Sequence, residues 1–318
     1  MRLQAISPDA YARQVLVETA ALWAGKRDVD AYVADNLEIA RSAFGKRHYR
    51  TIGLYDRRTL LASCKQYDRT LHDGSRRLRA VGIGAIFTPA GLRGRGYATA
   101  MVAALLDRSR ATGYDVAYLF SDIGPRFYSA IGFNEMPSRE ISLRADALPR
   151  KRTIVTPLRD GDWRGVRRCF ELAQRGHVHF DRTAPIWQWI VMRMRHRSER
   201  PEGQPFNLVV RHGRGVGAYV LGTRLPKRDV YVVDEFGFAD EDAALTIPSL
   251  LRAAAGDLRR IVGWLPPHGA RELLPGGSVR KRRTPQLMMA PLSVEGAQLV
   301  RALSQGGKAD CCWATDHL

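Results

Sequence analysis

Apolar positions at Val15, Val17, Ala20, Leu22 and Trp23 recur at helical spacing across residues 10–24, with Gly25 placed to stop the run. Residues 29–44 repeat that period, so two helices open the chain. The period then shortens toward two. Residues 48–54, 60–70 and 78–88 read as strands of an antiparallel meander, joined by the Asp56-Arg57-Arg58 turn and by a hairpin tip at His72-Asp73-Gly74-Ser75. The third strand ends at Pro89, which cannot continue a ladder. Residues 98–110 are strong helix formers with Met101, Leu105 and Leu106 on one stripe, and Thr112-Gly113 end them. Residues 116–122 (VAYLFSD) predict a buried strand parallel to the one before the helix. Gly124-Pro125 then open a short helix over 126–131, with Gly132 as its C-terminal residue, and Phe133 and Ile141-Ser142-Leu143 are expected to close the sheet.

Leu148-Pro149-Arg150-Lys151-Arg152 reads as a charged connector, after which the order of elements starts over. A strand is expected at 154–158, helices at 162–174 and 186–195, strands at 206–211, 216–223 and 229–236, and a helix at 243–255. The expected fold class is therefore α+β or α/β: a mixed central sheet flanked by helices, followed by a second domain of like build. The expected boundaries are 1–148 and 149–318.

With 318 residues and 45% hydrophobic content the chain can build more than one core. No apolar run reaches the roughly 20 residues that span a bilayer, and MRLQAISPDAYARQ lacks a signal-peptide pattern, so cytoplasmic residence is expected. Cys64, Cys169, Cys311 and Cys312 form no C-x-x-C pair and have no histidines at metal spacing, so neither a disulfide framework nor a metal site is expected. His177 and His179 alternate around Val178 without a third ligand. Lys+Arg of 50 against Asp+Glu of 32 leaves +18. That charge suits a polyanionic partner, whether a nucleotide cofactor, a nucleic acid or an acidic substrate, but an arginine-rich genome gives the same bias. That plain reading is preferred to nucleic-acid binding because the basic residues are spread along the chain and no nucleic-acid motif interleaves them. Neither a membrane partner nor an oligomeric state is indicated.

The chemistry concentrates between the third strand and the following helix. Gly91-Leu92-Arg93-Gly94-Arg95-Gly96-Tyr97-Ala98-Thr99 sets three glycines and two arginines at a helix start. Unpartnered N–H groups and the helix dipole favour a phosphate there, glycines admit it to the backbone, and Arg93 and Arg95 add charge-assisted donors. A pyrophosphate is the expected ligand. A P-loop would need Lys-Ser or Lys-Thr closing the run, and a dinucleotide fold would need G-x-G-x-x-G, and neither is present.

The pattern Arg93-x-x-Gly96-x-Ala98, together with Phe127-Tyr128-Ser129-Ala130-Ile131-Gly132-Phe133 downstream, resembles the GNAT N-acetyltransferase family. The resemblance implies the GNAT fold, with acetyl-CoA as co-substrate and its pyrophosphate held by Arg93, Gly94, Arg95, Gly96, Tyr97, Ala98 and Thr99. It also implies that the backbone of Ile86, Phe87 and Thr88 takes the pantetheine arm and the thioester carbonyl. Tyr128 aligns with the family's general acid. A free phenol at about 10 against a thiol at about 8.5 makes that proton transfer nearly even. Leu61-Ala62-Ser63-Cys64, Phe87-Thr88 and Leu119-Phe120-Ser121-Asp122-Ile123-Gly124 look like a narrower group, the fungal lysine N6-acetyltransferases and their bacterial relatives.

Where the second half ought to repeat the phosphate turn it has the acidic Phe238-Ala239-Asp240-Glu241-Asp242, which resembles the degenerate half of tandem GNAT proteins. That half is expected to shape the substrate cleft without binding cofactor. Asp122 is a candidate catalytic and acceptor-binding carboxylate, with Asp234 and Glu235 as further acceptor-binding candidates. The expected activity is acetyl transfer to a primary amine of a small molecule, lysine-like or an amino sugar. The alternative is a catalytically silent acyl-CoA sensor or interaction protein.

Overall fold

The computed structural model describes the chain except residues 75, 151–153, 199–202, 214, 268–272 and 306–309. Ser75 of the hairpin tip and Lys151 and Arg152 of the connector thus lie outside the described residues. An edge strand, β1 (Arg2–Ile6), precedes the first helix and pairs antiparallel with β2. Ser7 caps α1 (Pro8–Tyr11) by accepting from the Ala10 N–H, and a π-helical turn over Ala12–Leu16 carries it into α2 (Val17–Trp23). Asp28 caps α3 (Val29–Arg41) and Ser42 caps α4 (Ala43–His48).

The meander follows as β2 (Tyr49–Asp56), β3 (Thr59–Asp73) and β4 (Arg76–Phe87). Then come α5 (Tyr97–Ala111), β5 (Val116–Ser121), α6 (Arg126–Ser129) and the short β6 (Asn134–Glu135). Met101, Val102, Leu105 and Leu106 of α5 bury against Val81 and Ile83 of β4 and Ala117 and Leu119 of β5, which holds the crossover on the sheet face.

The strand β7 (Arg139–Arg144) departs from expectation. It does not close the first sheet; it pairs with β14 (Arg260–Trp264) and β15 (Ser278–Lys281) in a second sheet. In return β16 (Gln286–Pro291), near the C-terminus, lies antiparallel against β5 and β6 and completes the first sheet. Met288 and Ala290 of β16 sit in the same apolar cluster as α5. Each half therefore lends a strand to the other.

The first sheet runs β1-β2-β3-β4-β5-β16-β6, with β9 (His179–Phe180) on the far end of β3. The second runs β15-β7-β14-β13-β12-β11-β8, built from β8 (Val155–Pro157), β11 (Leu208–His212), β12 (Gly215–Leu225) and β13 (Val230–Phe238), with β10 (Gln204–Pro205) beside β12. Helices α7 (Trp163–Ala173), α8 (Ala184–Ser198), α9 (Glu241–Ala244) and α10 (Ile247–Ala255) accompany it, while α11 (Val294–Gln305) packs Leu299 and Val300 on the first sheet beside Leu287 and Met289 of β16. Among the described residues no helix is long and apolar enough to cross a membrane, and the four cysteines are buried free thiols. His179 stacks on His72 at 5.1 Å and its Nδ1 meets the His177 carbonyl at 2.7 Å.

Candidate active site

Strands β4 and β5 run parallel only from Ala80↔Val116 to Gly82↔Tyr118. Beyond that point β5 stays with β16 while Ile83–Phe87 of β4 follow β3, so a V opens between them. A bulge marks the start of the V. Ser63 faces Phe87 and Lys65 faces Gly84, so Cys64 on β3 stands opposite both Ala85 and Ile86, and Ala85 takes φ 48°, a region an alanine rarely enters. Past it Phe87 still pairs with Ser63 of β3, while among the described residues the side of Ile86 and Phe87 that faces the V has no strand partner.

The glycine-arginine turn leads straight into α5. Gly94 has φ 75° and Gly96 φ 76°, and nothing lies within 4 Å of where a Cβ would stand on either. Gly96 is the N-cap, no side chain caps it, and the first turn holds no acid. The first helical bond runs from Ala100 N–H to the Gly96 carbonyl, leaving the N–H groups of Tyr97, Ala98 and Thr99 without a helical partner. Arg95 is exposed, and Arg93 is folded back so that its Nε donates to the Thr88 carbonyl at 3.2 Å. An uncapped helix end with room at two left-handed glycines fits a diphosphate.

The elbow meets this turn through a common core. Ile86, Leu92, Tyr97 and Phe127 pack on the cluster that contains Tyr128 and Phe133. The Tyr128 ring sits edge-on to Phe127 at 4.9 Å and to Phe133 at 6.0 Å. Burial, and then the charge of Asp122, push its hydroxyl up to about 12. Burial also raises the Asp122 carboxyl above its ordinary range. The two candidate groups thus share one neighbourhood, and with the phenol raised in this way the transfer of its proton to a leaving thiolate is uphill rather than nearly even.

A cavity of about 400 Å³ opens on the same V. Gly84 and Ala85 of β4, Phe120 of β5 and Asp122 just past it line the cavity together with Asp35 and Asn36 of α3, Arg193 and His196 of α8, and the tail residues His317 and Leu318. Lys65 and Tyr67 of β3 reach into it as well. Sequence reading missed the α3, α8 and Lys65 contributions. The one available signal was the lysine inside an otherwise apolar strand, Leu-Leu-Ala-Ser-Cys-Lys65.

Two expected acceptor carboxylates are not in the cavity. Glu235 is fully buried elsewhere: Arg182 Nη1 lies 2.7 Å from it, and the hydroxyls of Tyr219 and Thr315 donate to it. It serves the core, so an acceptor-binding part for it is withdrawn. Asp234 is half-buried one residue earlier, at the bulge where β13 shifts register against β12, and does not line the cavity.

The second half repeats the V, and the chain itself fills it. Strands β13 and β14 pair in parallel only from Val230↔Arg260 to Val233↔Gly263. Beyond, Trp313 packs edge-on to Phe236 at 5.0 Å and Thr315 bonds Glu235. At the position of the phosphate turn, Asp240 caps α9 by accepting from Ala243 N–H. An acid on that helix end and a tail in that V exclude a second diphosphate site of the first kind.

This duplicated sheet, with a bulged strand, a V and an open helix end after it, decides the fold. The chain has the GNAT fold. Residues 23–136 match the family described as acetyltransferase (GNAT) domain. The GNAT architecture extends over both halves in solved structures. The chain is similar to a GCN5-related N-acetyltransferase from Anabaena variabilis ATCC 29413, with TM-score 0.71 and 16% identity over 93% of this chain and 74% of that one. It is also similar to Eis1 from Mycobacterium abscessus, with TM-score 0.63 and 16% identity over 94% and 75%. A tandem GNAT protein from the clavulanic acid biosynthesis pathway aligns with TM-score 0.51 and 12% identity over 92% and 98%. No curated protein matches the sequence.

Proposed function

We propose that the protein is an acyl-CoA-dependent N-acyltransferase that moves an acetyl group from acetyl-CoA to a primary amine of a small molecule. The observation that carries this reading is the coincidence of three features: an uncapped α5 N-terminus with two left-handed glycines, a V between β4 and β5, and a cavity opening on that V. Bound there, acetyl-CoA supplies an electrophilic thioester carbonyl.

The chain's own groups divide the work. The free N–H groups of Tyr97, Ala98 and Thr99, with Arg93 and Arg95, hold the diphosphate, and Gly94 and Gly96 let it reach the backbone. The unpartnered edge of Ile86, Phe87 and Thr88 aligns the pantetheine arm and offers preformed donors to the carbonyl oxygen, an arrangement worth on the order of 3 kcal/mol in acyl transfer. Asp122, lining the cavity, orients the amine and, directly or through water, takes the proton the nitrogen loses as the C–N bond forms and the C–S bond breaks. Tyr128 keeps its proton throughout the neutral range and presents it as a hydrogen bond toward the leaving sulfur. The narrower resemblance to lysine N6-acetyltransferases, and a lysine-like or amino-sugar acceptor, belong to this proposal, as do cytoplasmic residence and the division at 148/149.

Release of free CoA thiol from acetyl-CoA in the presence of a panel of primary amines tests the reading. Amine-dependent release at catalytic turnover is the expected result. Acetyl-CoA binding with no amine-dependent release would leave the silent-sensor alternative standing.

A further inference from the structure

The cavity's charged groups do not balance. Asp35 accepts from Arg27 and faces His196 Nδ1 at 3.5 Å, while Glu38 behind it is engaged by His196 Nε2 at 2.9 Å and by Arg195. Those acids are spent on bases of α8 and of the α2–α3 turn. Asp122 lines the same cavity, just past the end of β5 where the V opens.

Lys65 is different. It sits directly across from Gly84 at the bulge, and its ammonium donates to one protein atom, Asn36 Oδ1, at 2.6 Å. Asn36 is itself fixed, because its Nδ2 donates to the Tyr32 carbonyl at 2.8 Å. Among the described residues no carboxylate comes within ion-pair distance of Lys65. An ammonium has three donors, and lysines drawn out of water are almost always paired. Here two donors remain, inside a cavity whose wall also carries Arg193. Burial and the charge of Arg193 already strain this ammonium, which is pushed down to about 8.

We propose that Lys65, aimed by Asn36, is the anion-binding end of the acceptor site, so that the acceptor is a small amine that also carries a carboxylate. This rests on the acyltransferase reading above and deepens it. The carboxylate lies against Lys65, the amine points toward Asp122 and the V, and the cavity of about 400 Å³ accommodates an amino acid between them. A polycationic amino sugar would bring like charge against Lys65, so an amino-acid type of acceptor is selected over it. The lysine is retained at a cost to the empty protein, as groups shaped for a ligand often are.

The test compares amines that differ only in the carboxylate: L-lysine with cadaverine, L-phenylalanine with phenethylamine, and glucosamine as a control, by CoA thiol release with wild type and Lys65→Met. The wild type should favour the carboxylate member of a pair at least tenfold in kcat/KM, mainly through KM. In Lys65→Met that ratio should fall at least tenfold, and the thermal midpoint of the ligand-free protein should rise, which removal of a merely structural lysine would not cause. If no amine is turned over, the acyltransferase reading fails on its own. The subsite is then decided by calorimetric titration of N-acetyl-lysine and N-acetylphenylalanine against their amides. Carboxylate-dependent binding lost in Lys65→Met supports it. No carboxylate preference in wild type, in turnover or in binding, or a preference undiminished in Lys65→Met, overturns it.

Discussion

Two side chains carry most of the chemistry in the account, and each makes a separate prediction. Tyr128→Phe removes one hydroxyl and leaves the ring between Phe127 and Phe133, so steady-state turnover on an amine should drop tens-fold or more while acetyl-CoA affinity stays nearly constant. Unchanged turnover would refute a part for the Tyr128 hydroxyl in helping the sulfur leave. For Lys65, the folded-state value of about 8 lies below the roughly 10.4 of an unfolded chain. Between those values the unfolded state binds more protons, so stability rises with pH across that window, by up to about 3 kcal/mol. The titratable side chains that line the cavity with Lys65 are Arg27 before α3, Tyr32 and Asp35 from α3, Tyr67 on its own strand, Asp122 beyond β5, Arg193 and His196 from α8 and His317 from the tail. Denaturant titrations at pH 8 and pH 10.5 should show this gain in wild type and its loss in Lys65→Met. At neutral pH the same substitution should stabilise the ligand-free protein by about 1–3 kcal/mol, since an ammonium with one neutral partner gives way to an apolar chain of similar shape.

At the scale of elements, the phosphate turn and its strands were legible because their signals are local. A β-branched run ending at Pro89, glycines before a helix and an aromatic elbow each speak through neighbours in sequence, and β4, α5 and β5 fall within a few residues of expectation. The strand exchange was not legible. Gln286-Leu-Met-Met-Ala-Pro291 carries no periodicity that distinguishes a buried strand from a helix turn, and its partner β5 lies far back in the chain. Arg139–Arg144 follows the elbow directly, so adjacency pointed to the first sheet while pairing with β14 put it in the second. The acceptor side of the site was opaque for a related reason: Asn36, Arg193 and His196 stand on helices whose polar faces look like ordinary surface until two helices and a sheet are folded together. The element-level prediction concerns α5. Gly96→Asp adds an acid to the helix end and a Cβ at φ 76°, and should abolish diphosphate binding, whereas Asp240→Ala in the second half should leave coenzyme affinity unchanged.

Across the whole molecule a buried ionic quartet joins what the exchanged strands already link. Arg182 contacts Glu235 at 2.7 Å and Asp316 at 3.1 Å, and Arg69 of the first sheet reaches Asp316 at 3.1 Å, with all four side chains inaccessible to water. Burial pushes the Asp316 carboxyl upward, but Arg182 and then Arg69 more than offset it and hold it below the ordinary range. Of the four, sequence singled out Glu235 alone, as an acceptor-binding candidate, and only long-range packing makes them a core. Asp316→Asn would leave two buried guanidiniums facing one carboxylate and should cost about 3–5 kcal/mol in denaturant titrations. Because β7 and β16 cross between the sheets, the halves should melt in a single calorimetric transition, and two resolved transitions would speak against the shared core.

The most direct test of the central claim is a calorimetric titration of acetyl-CoA into the wild-type chain and into Gly96→Asp. The account predicts one equivalent bound per chain, at the open helix end of the first half, and no measurable binding to the variant. No binding to the wild type, two equivalents per chain, or binding undiminished in Gly96→Asp would contradict it.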